Sequence, residues 1–109
     1  IVGSTDLTHY GARFGFAPKG HGPDAVRWVK EENDARLIER VLDFDPEGVL
    51  REAAMNHNAC VPGAVAATLA GCRVLGLTEA SLLDYRTSWD YQPSDTFVGY
   101  TAVVFDRPE

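Results

Sequence analysis

The sequence predicts an α/β fold with the element order strand, three helices and two strands. Three observations support this prediction: an apolar start at Ile1–Val2, a middle section with apolar residues at helical spacing, and two β-rich segments near the end. No internal repeat or linker divides the chain. With 109 residues and 45% hydrophobic content, residues 1–109 are expected to form a single domain with its own core.

The first predicted element is a buried parallel strand at Ile1–Val2 that runs into a turn of small and hydroxyl residues. Such a turn is typical of the carboxyl end of a parallel strand, where α/β proteins collect their ligands. The turn presents Asp6 and His9, three residues apart. A carboxylate and an imidazole at this spacing can share a metal, orient one another, or only cap a helix and form a polar contact. Taken alone, the spacing favours the last interpretation.

The first predicted helix follows an ordered loop that is rich in glycine and covers residues 11–23. It begins near Asp24 and runs toward Phe44, and its later half has an apolar stripe that is expected to pack on the sheet. The charged segment 30–32 is assigned to the solvated face of this helix.

The second and third helices have distinct start and stop signals. Asp45 is a favoured N-cap and Pro46 a favoured first residue, so the second helix is expected to run to about Met55. Residues 60–75 carry small side chains at nearly every position, which predicts a helix buried closely against its neighbours. Gly76 is expected to end it.

Two strands are predicted after the helices. Residues 80–87 and 97–105 are rich in β-branched, aromatic and leucine side chains, and a polar loop over residues 88–96 separates them.

Charge and composition exclude several classes of protein. Ten Lys and Arg against sixteen Asp and Glu give a net charge of −6, so no basic patch is available and nucleic acid is not an expected partner. The sequence lacks the roughly 18–20 consecutive apolar residues that a membrane span needs. No leader precedes Ile1, so we expect a cytoplasmic protein. Cys60 and Cys72 lie in one helical segment, and one or both are expected to be free thiols.

Cys60 is the main candidate for chemistry. It lies just before the proline of a helix start, where the helix dipole favours a thiolate, which is both a nucleophile and a soft metal ligand. The alternative is a small buried apolar residue, which is the interpretation for Cys72. His57 could pair with Cys60 as in a cysteine hydrolase, but it is better interpreted as a residue that supports the site. His21, between two glycines, is expected to be exposed.

Five motifs occur together in a fixed order. They are Ser4-Thr5-Asp6-Leu7-Thr8-His9-Tyr10, Leu42-Asp43-Phe44-Asp45-Pro46-Glu47-Gly48, Cys60-Val61-Pro62-Gly63, Leu83-Asp84-Tyr85-Arg86-Thr87-Ser88 and Phe97-Val98-Gly99-Tyr100. In this order they resemble the carboxyl-terminal part of the Memo-like family, which is the B component of AmmeMemoRadiSam gene neighbourhoods. The resemblance covers nearly the whole chain, so residues 1–109 are expected to be the carboxyl-terminal portion of a Memo-like domain.

The resemblance implies both a fold and a site. The Memo-like family is similar to class III extradiol dioxygenases, so the chain is expected to form part of a three-layer α/β/α sandwich. The resemblance also implies a metal-capable pocket in which Cys60 and His9 are metal ligands and Asp6 and His9 are the catalytic pair. In the dioxygenases the position of Cys60 carries a carboxylate ligand. A thiolate there favours Cu(I) or Zn, and Fe(II) is also compatible with the pocket.

The chain departs from the family pattern in two respects. The two amino-terminal histidines of the family pocket lie in a region that these residues do not include, so three of five pocket positions are present. The resemblance therefore implies that the missing amino-terminal region of the same protein is a partner. The usual Cys-Gly step is replaced by Cys60-Val61-Pro62-Gly63.

Three functions remain open on the sequence. The first is a metal-dependent, dioxygenase-like oxidoreductase. The second is a non-catalytic binding or scaffold module that uses the same pocket for a peptide or protein partner. The third is a cysteine hydrolase that uses Cys60 with His57 or His9. A terminal strand without neighbours would expose an edge, so we also expect the chain to form a homo-oligomer or to be poorly soluble on its own.

Overall fold

A computed structural model describes all of residues 1–109, and it confirms a mixed helix-and-strand fold. The sheet has three strands, β1 (His9–Tyr10), β2 (Glu79–Thr87) and β3 (Phe97–Asp106). They lie in the order β1-β3-β2, and both pairings are antiparallel. The strands β2 and β3 confirm the two strands predicted at residues 80–87 and 97–105.

The predicted first helix is present as one helical rod of three parts. These are α1 (Pro23–Trp28), a π-helical turn (Val29–Asn33) and α2 (Asp34–Leu42). The glycine-rich loop before it contains a short 3₁₀ helix, Ala12–Phe14.

The two later helices also form close to where the sequence predicts them. They are α3 (Pro46–Asn56) and α4 (Pro62–Val74). The side chain of Asp45 caps α3, because its Oδ1 accepts a hydrogen bond of 2.9 Å from the Gly48 amide. None of the helices has the length and apolar character needed to cross a lipid bilayer.

The predicted parallel strand at Ile1–Val2 is wrong. Both residues are exposed and lie outside any strand, and the first strand is the short antiparallel β1. The amino-terminal segment lies against α4 instead. Gly3 approaches that helix so closely that a Cβ on it would stand 2.0 Å from Thr68 Oγ1. Close packing on a helix therefore replaces sheet pairing at the start of the chain.

The prediction that residues 60–75 form a buried helix is only half correct. The helix forms, but Leu69 and Cys72 are its only buried residues, and Gly63, Ala67 and Ala70 are exposed. Small side chains let neighbouring backbone approach closely on one side of α4, as Gly3 does, without enclosing the other side.

The helices pack on one face of the sheet. Two hydrophobic clusters fill the space between them, and their buried members are Leu7, Leu37, Ile38, Val49 and Leu69 in one, and Tyr10, Ala25, Val26, Val29 and Phe97 in the other. On β3, side chains alternate between this interior and the opposite face, where Tyr100 and Val104 are exposed. Residues 1–109 thus form the sheet and one helical layer of the three layers expected.

Gly99 in β3 lies close to Asp34 of α2. A Cβ at Gly99 would stand 2.0 Å from Oδ2 of Asp34, which is a fully buried residue. An isolated glycine within a strand often marks such a close approach.

We predict that Gly99→Ala lowers the free energy of unfolding by about 1–3 kcal/mol, because the added methyl group overpacks the interior against Asp34. Urea denaturation would measure the change. Gly63→Ala is the matched control, since Gly63 lies in α4 with nothing within 4 Å of its Cβ position and alanine favours a helix. A Gly99→Ala variant as stable as the parent chain would contradict the close packing.

Candidate metal centre

Three potential metal ligands converge at one place on the surface, and we call them the donor group: Asp6, His9 and Cys60. Each offers one ligand atom, and these atoms all lie within 4.8 Å of one another. His9 Nε2 is 3.4 Å from Asp6 Oδ2. Donor atoms of a tetrahedral zinc site lie about 3.3–3.8 Å from one another, given metal–ligand distances of about 2.0–2.3 Å. The 3.4 Å separation of the Asp6 and His9 atoms lies in this range, while the 4.8 Å limit for the whole group is wider, so the mixed O, N and S donors would close up slightly around an ion. The roles of Cys60 and His9 as metal ligands, and of Asp6 and His9 as a catalytic pair, stay predictions.

A clasp of hydrogen bonds joins residues 5–6 to residues 60–61 and holds Cys60 in this group. The Cys60 amide donates to the Asp6 carbonyl over 3.2 Å, and the Val61 amide donates to Thr5 Oγ1 over 2.9 Å. In the other direction, the Asp6 amide donates to Cys60 Sγ over 3.4 Å. These bonds fix the thiol beside the carboxylate although the two residues are far apart in the chain.

His9 is the first residue of β1, and its ring lies over Phe14 with 4.8 Å between the ring centroids. The side chains of His9 and Asp6 are 33% and 47% exposed. Cys60 is exposed as well. The donor group is therefore open to solvent on one side.

A cleft of about 270 Å³ lies beside the donor group. His9, Cys60 and His57 contribute its polar lining, and the remaining wall is mostly apolar and aromatic: Leu7, Phe14, Gly15, Phe16, Ala53 and Ala59. His57 ends α3 in a left-handed backbone conformation with φ 52°, and its ring meets the edge of Phe16 at 5.3 Å. His57 thus shares the cleft with the donor group without belonging to it.

The other candidates from the sequence have simple structural positions. His21 is exposed and Cys72 is buried, as expected. The Cys60 thiol hydrogen bonds with Thr5 and Asp6, and no histidine lies within hydrogen-bond distance of it. The pair of nucleophile and base that a cysteine hydrolase requires is therefore not formed.

Sequence reasoning missed a buried polar group next to β1. Asp34 Oδ1 accepts hydrogen bonds from the Thr8 amide over 2.9 Å and from the Thr8 hydroxyl over 2.6 Å, while Oδ2 accepts one from the Tyr85 hydroxyl over 2.5 Å. Burial raises the pKa of Asp34, although the hydrogen bonds from Thr8 and Tyr85 oppose that shift. Burial, and then the nearby Asp34 charge, raise the pKa of Tyr85, so its hydroxyl remains a donor.

The fold and the donor group together define an α/β protein with a candidate metal centre. A family model described as Memo-like protein matches residues 1–104, and the chain belongs to the Memo-like family. This confirms the resemblance found in its motifs.

Several archaeal members of the family are similar to this chain. A MEMO1 family protein of Pyrococcus furiosus is 41% identical over 109 residues, covering 98% of this chain and 37% of the relative. One of Pyrococcus horikoshii is 38% identical, covering 98% of this chain and 38% of the relative. One of Methanothermobacter thermautotrophicus is 34% identical over 102 residues, covering 92% of this chain and 32% of the relative. The chain thus spans less than two fifths of the length of these relatives.

We predict that Asp34 makes stability depend on pH in the direction opposite to an ordinary ion-paired acid. Because the folded-state pKa of Asp34 is raised above 3.8, the folded state holds this proton more tightly than the unfolded state. Its contribution to stability is therefore full below pH 3.8 and is lost as the pH rises through the folded pKa.

The measurement is urea denaturation of the parent chain and of Asp34→Asn between about pH 3.5 and pH 8. This range starts near the usual pKa of Asp and extends well above it. The stability of the parent relative to Asp34→Asn should fall with rising pH. A difference that stays constant or grows would contradict the raised pKa.

Proposed function

We propose that Cys60 and His9 of this chain are ligands in the metal centre of a Memo-like protein with a dioxygenase-like pocket, and that Asp6 lies beside them as the partner of His9. The observation that carries the proposal is the convergence of Asp6, His9 and Cys60, from two distant segments, beside a cleft large enough for a small ligand. A thiolate, an imidazole and a carboxylate together suit iron, copper or zinc.

Each donor has a distinct part in the proposed centre. Cys60 and His9 bind the ion. His9 Nε2 lies 3.4 Å from Asp6 Oδ2. When Nε2 binds the ion it carries no proton, and Asp6 would then be a further ligand. A His9 that acts instead as the acid/base would donate its Nε2 proton to Asp6. A bound ion would supply Lewis-acid chemistry, or electron transfer if it were iron or copper. The aromatic wall formed by Phe14 and Phe16 would exclude water from one side of a bound substrate.

The proposed centre includes ligands from outside these residues. The family resemblance supplies two further histidines from an amino-terminal region, and the open, solvent-facing side of the donor group leaves room for them. We propose that region as the partner that completes the pocket. We further propose a cytoplasmic location, because Cys60 and Cys72 are both free thiols, which a reducing compartment preserves.

We predict that Cys60→Ala lowers affinity for Zn²⁺ and Co²⁺ by more than about tenfold, since even the loss of an outer hydrogen-bond partner costs about 10- to 100-fold at metal sites. The measurement is titration of anaerobically purified protein, with elemental analysis of the metal retained, on this chain and on the protein with its amino-terminal region. The loss of the thiolate-to-cobalt absorption band would identify the ligand.

Cys72→Ala is the matched control, because Cys72 is a buried thiol in α4 that belongs to no donor group. It should leave the affinity unchanged. Unchanged metal affinity in Cys60→Ala, or an equal loss in both variants, would contradict the proposed centre. Oxygen uptake with the metal and candidate catechols then tests turnover.

A non-catalytic binding or scaffold module is the second candidate function. The sequence placed its peptide or protein partner in the pocket, and the edge strand β2 offers another surface for one. This strand lies at the edge of the sheet, and its Leu82 and Leu83 are 45% and 62% exposed. A free edge with apolar side chains is suited to pairing with another strand, either from a peptide or from a second copy of the chain. Steady oxygen consumption would exclude a purely binding role.

We predict that the isolated chain self-associates through β2 and that Leu83→Lys reduces this association, since a charge on an edge strand opposes pairing. Light scattering over a range of concentrations would measure it. Val74→Lys is the control, because Val74 is 87% exposed but lies in α4 and not in an edge strand. A parent chain that is monodisperse and monomeric would contradict self-association.

A further inference from the structure

Asp34 is an unusual residue to find in the interior. It is fully buried, and its partners are two groups of Thr8 and the hydroxyl of Tyr85, with no cation among them. Burying a carboxyl group without a cation costs free energy, even where hydrogen bonds offset part of the cost. An apolar residue would stabilise the interior more simply, so a role other than stability is the better explanation for Asp34.

The helix is distorted at the same place. The π-helical turn Val29–Asn33 ends directly before Asp34, and both Asn33 and Asp34 are fully buried although they are adjacent in the helix. Single π-helical turns are often found at functional sites. Here the turn brings a second polar side chain to Thr8, because Asn33 Nδ2 donates a hydrogen bond to Thr8 Oγ1 over 2.9 Å.

As a result, every polar atom of Thr8 takes part in a hydrogen bond. Its amide and hydroxyl donate to Asp34, its hydroxyl accepts from Asn33, and its carbonyl accepts from the Gly99 amide over 3.0 Å. His9 is the next residue and begins β1, a strand of only two residues. Successive side chains of extended backbone point to opposite sides, so Thr8 faces the interior while His9 lines the cleft.

We propose that Asp34 is a positioning residue for the donor group, which acts through Thr8 to fix where His9 stands relative to Asp6 and Cys60. This rests on the proposal that the donor group forms a metal centre. The buried carboxyl replaces the support that a longer strand would give. Asp34 is thus buried, despite the cost in free energy, because it fixes the position of the His9 imidazole on the opposite side of the backbone.

The test is Co²⁺ titration of the parent chain, Asp34→Asn and Asp90→Asn, with circular dichroism and thermal melting of each. Asp90 is the matched control, because it is also a hydrogen-bonded carboxylate, caps Thr87 and pairs with Lys30, but does not contact Thr8. We expect Asp34→Asn to lose about 10- to 100-fold in affinity, the range typical of outer partners of metal ligands. Asp90→Asn should keep its affinity even where its melting temperature falls.

A second readout needs no metal and separates this inference from the proposed function. The imidazole NMR signals of His9 should shift or broaden in Asp34→Asn, while those of His21 and His57 stay as in the parent chain. If the parent binds no Co²⁺ even with its amino-terminal region present, the proposed function fails, and the His9 signals alone decide the role of Asp34. Parent-like His9 signals in Asp34→Asn, or equal affinity losses in both carboxylate variants, would overturn the inference.

A pair of variants at Thr8 covers the case in which Asp34→Asn does not fold. Thr8→Ser keeps the hydroxyl that bonds to Asp34 and Asn33, whereas Thr8→Val replaces it with a methyl group of similar size. We expect Thr8→Ser to retain parent-like His9 signals and Thr8→Val to lose them. Identical His9 signals in the two variants would overturn the role of this contact.

Discussion

Much of this structure depends on the contact between the Asp34 carboxyl group and Thr8. It joins the long helical rod to the segment that carries His9, and through Tyr85 it also joins both to β2. Two costs accompany it: the burial of an acid without a cation and a strand position at Gly99 that has no room for a side chain. Both costs lie next to the donor group, where they are more readily explained by function than by stability.

The elements with strong local signals could be predicted from the sequence. The N-cap at Asp45 followed by Pro46 placed α3. Leucine and tyrosine residues placed β2, and dense β-branched and aromatic residues placed β3. The start of the chain could not be placed correctly, because two apolar residues do not distinguish a strand from a segment that packs on a helix. Gly3 decides that question through its close approach to Thr68, which only the tertiary structure reveals.

The donor group and its support differ in how readily they can be found. Asp6, His9 and Cys60 could be singled out because their motifs occur in a family-specific order, and the clasp at residues 5–6 and 60–61 explains how distant motifs meet. Asp34 could not, because a regular helix is assumed when faces are assigned, and the π-helical turn changes which residues face inward. One signal in the sequence was Gly99, an isolated glycine in a strand that is otherwise rich in β-branched and aromatic residues.

The exposure of Cys60 has a consequence for how the protein behaves in the presence of oxygen. A solvent-facing thiol can be oxidised, first to a sulfenic acid and then irreversibly to higher acids, whereas a buried one such as Cys72 is protected. Peroxide and a metal ion would therefore compete for the same sulfur atom. Occupancy of the centre would then depend on the oxidation history of the molecule as well as on the supply of metal.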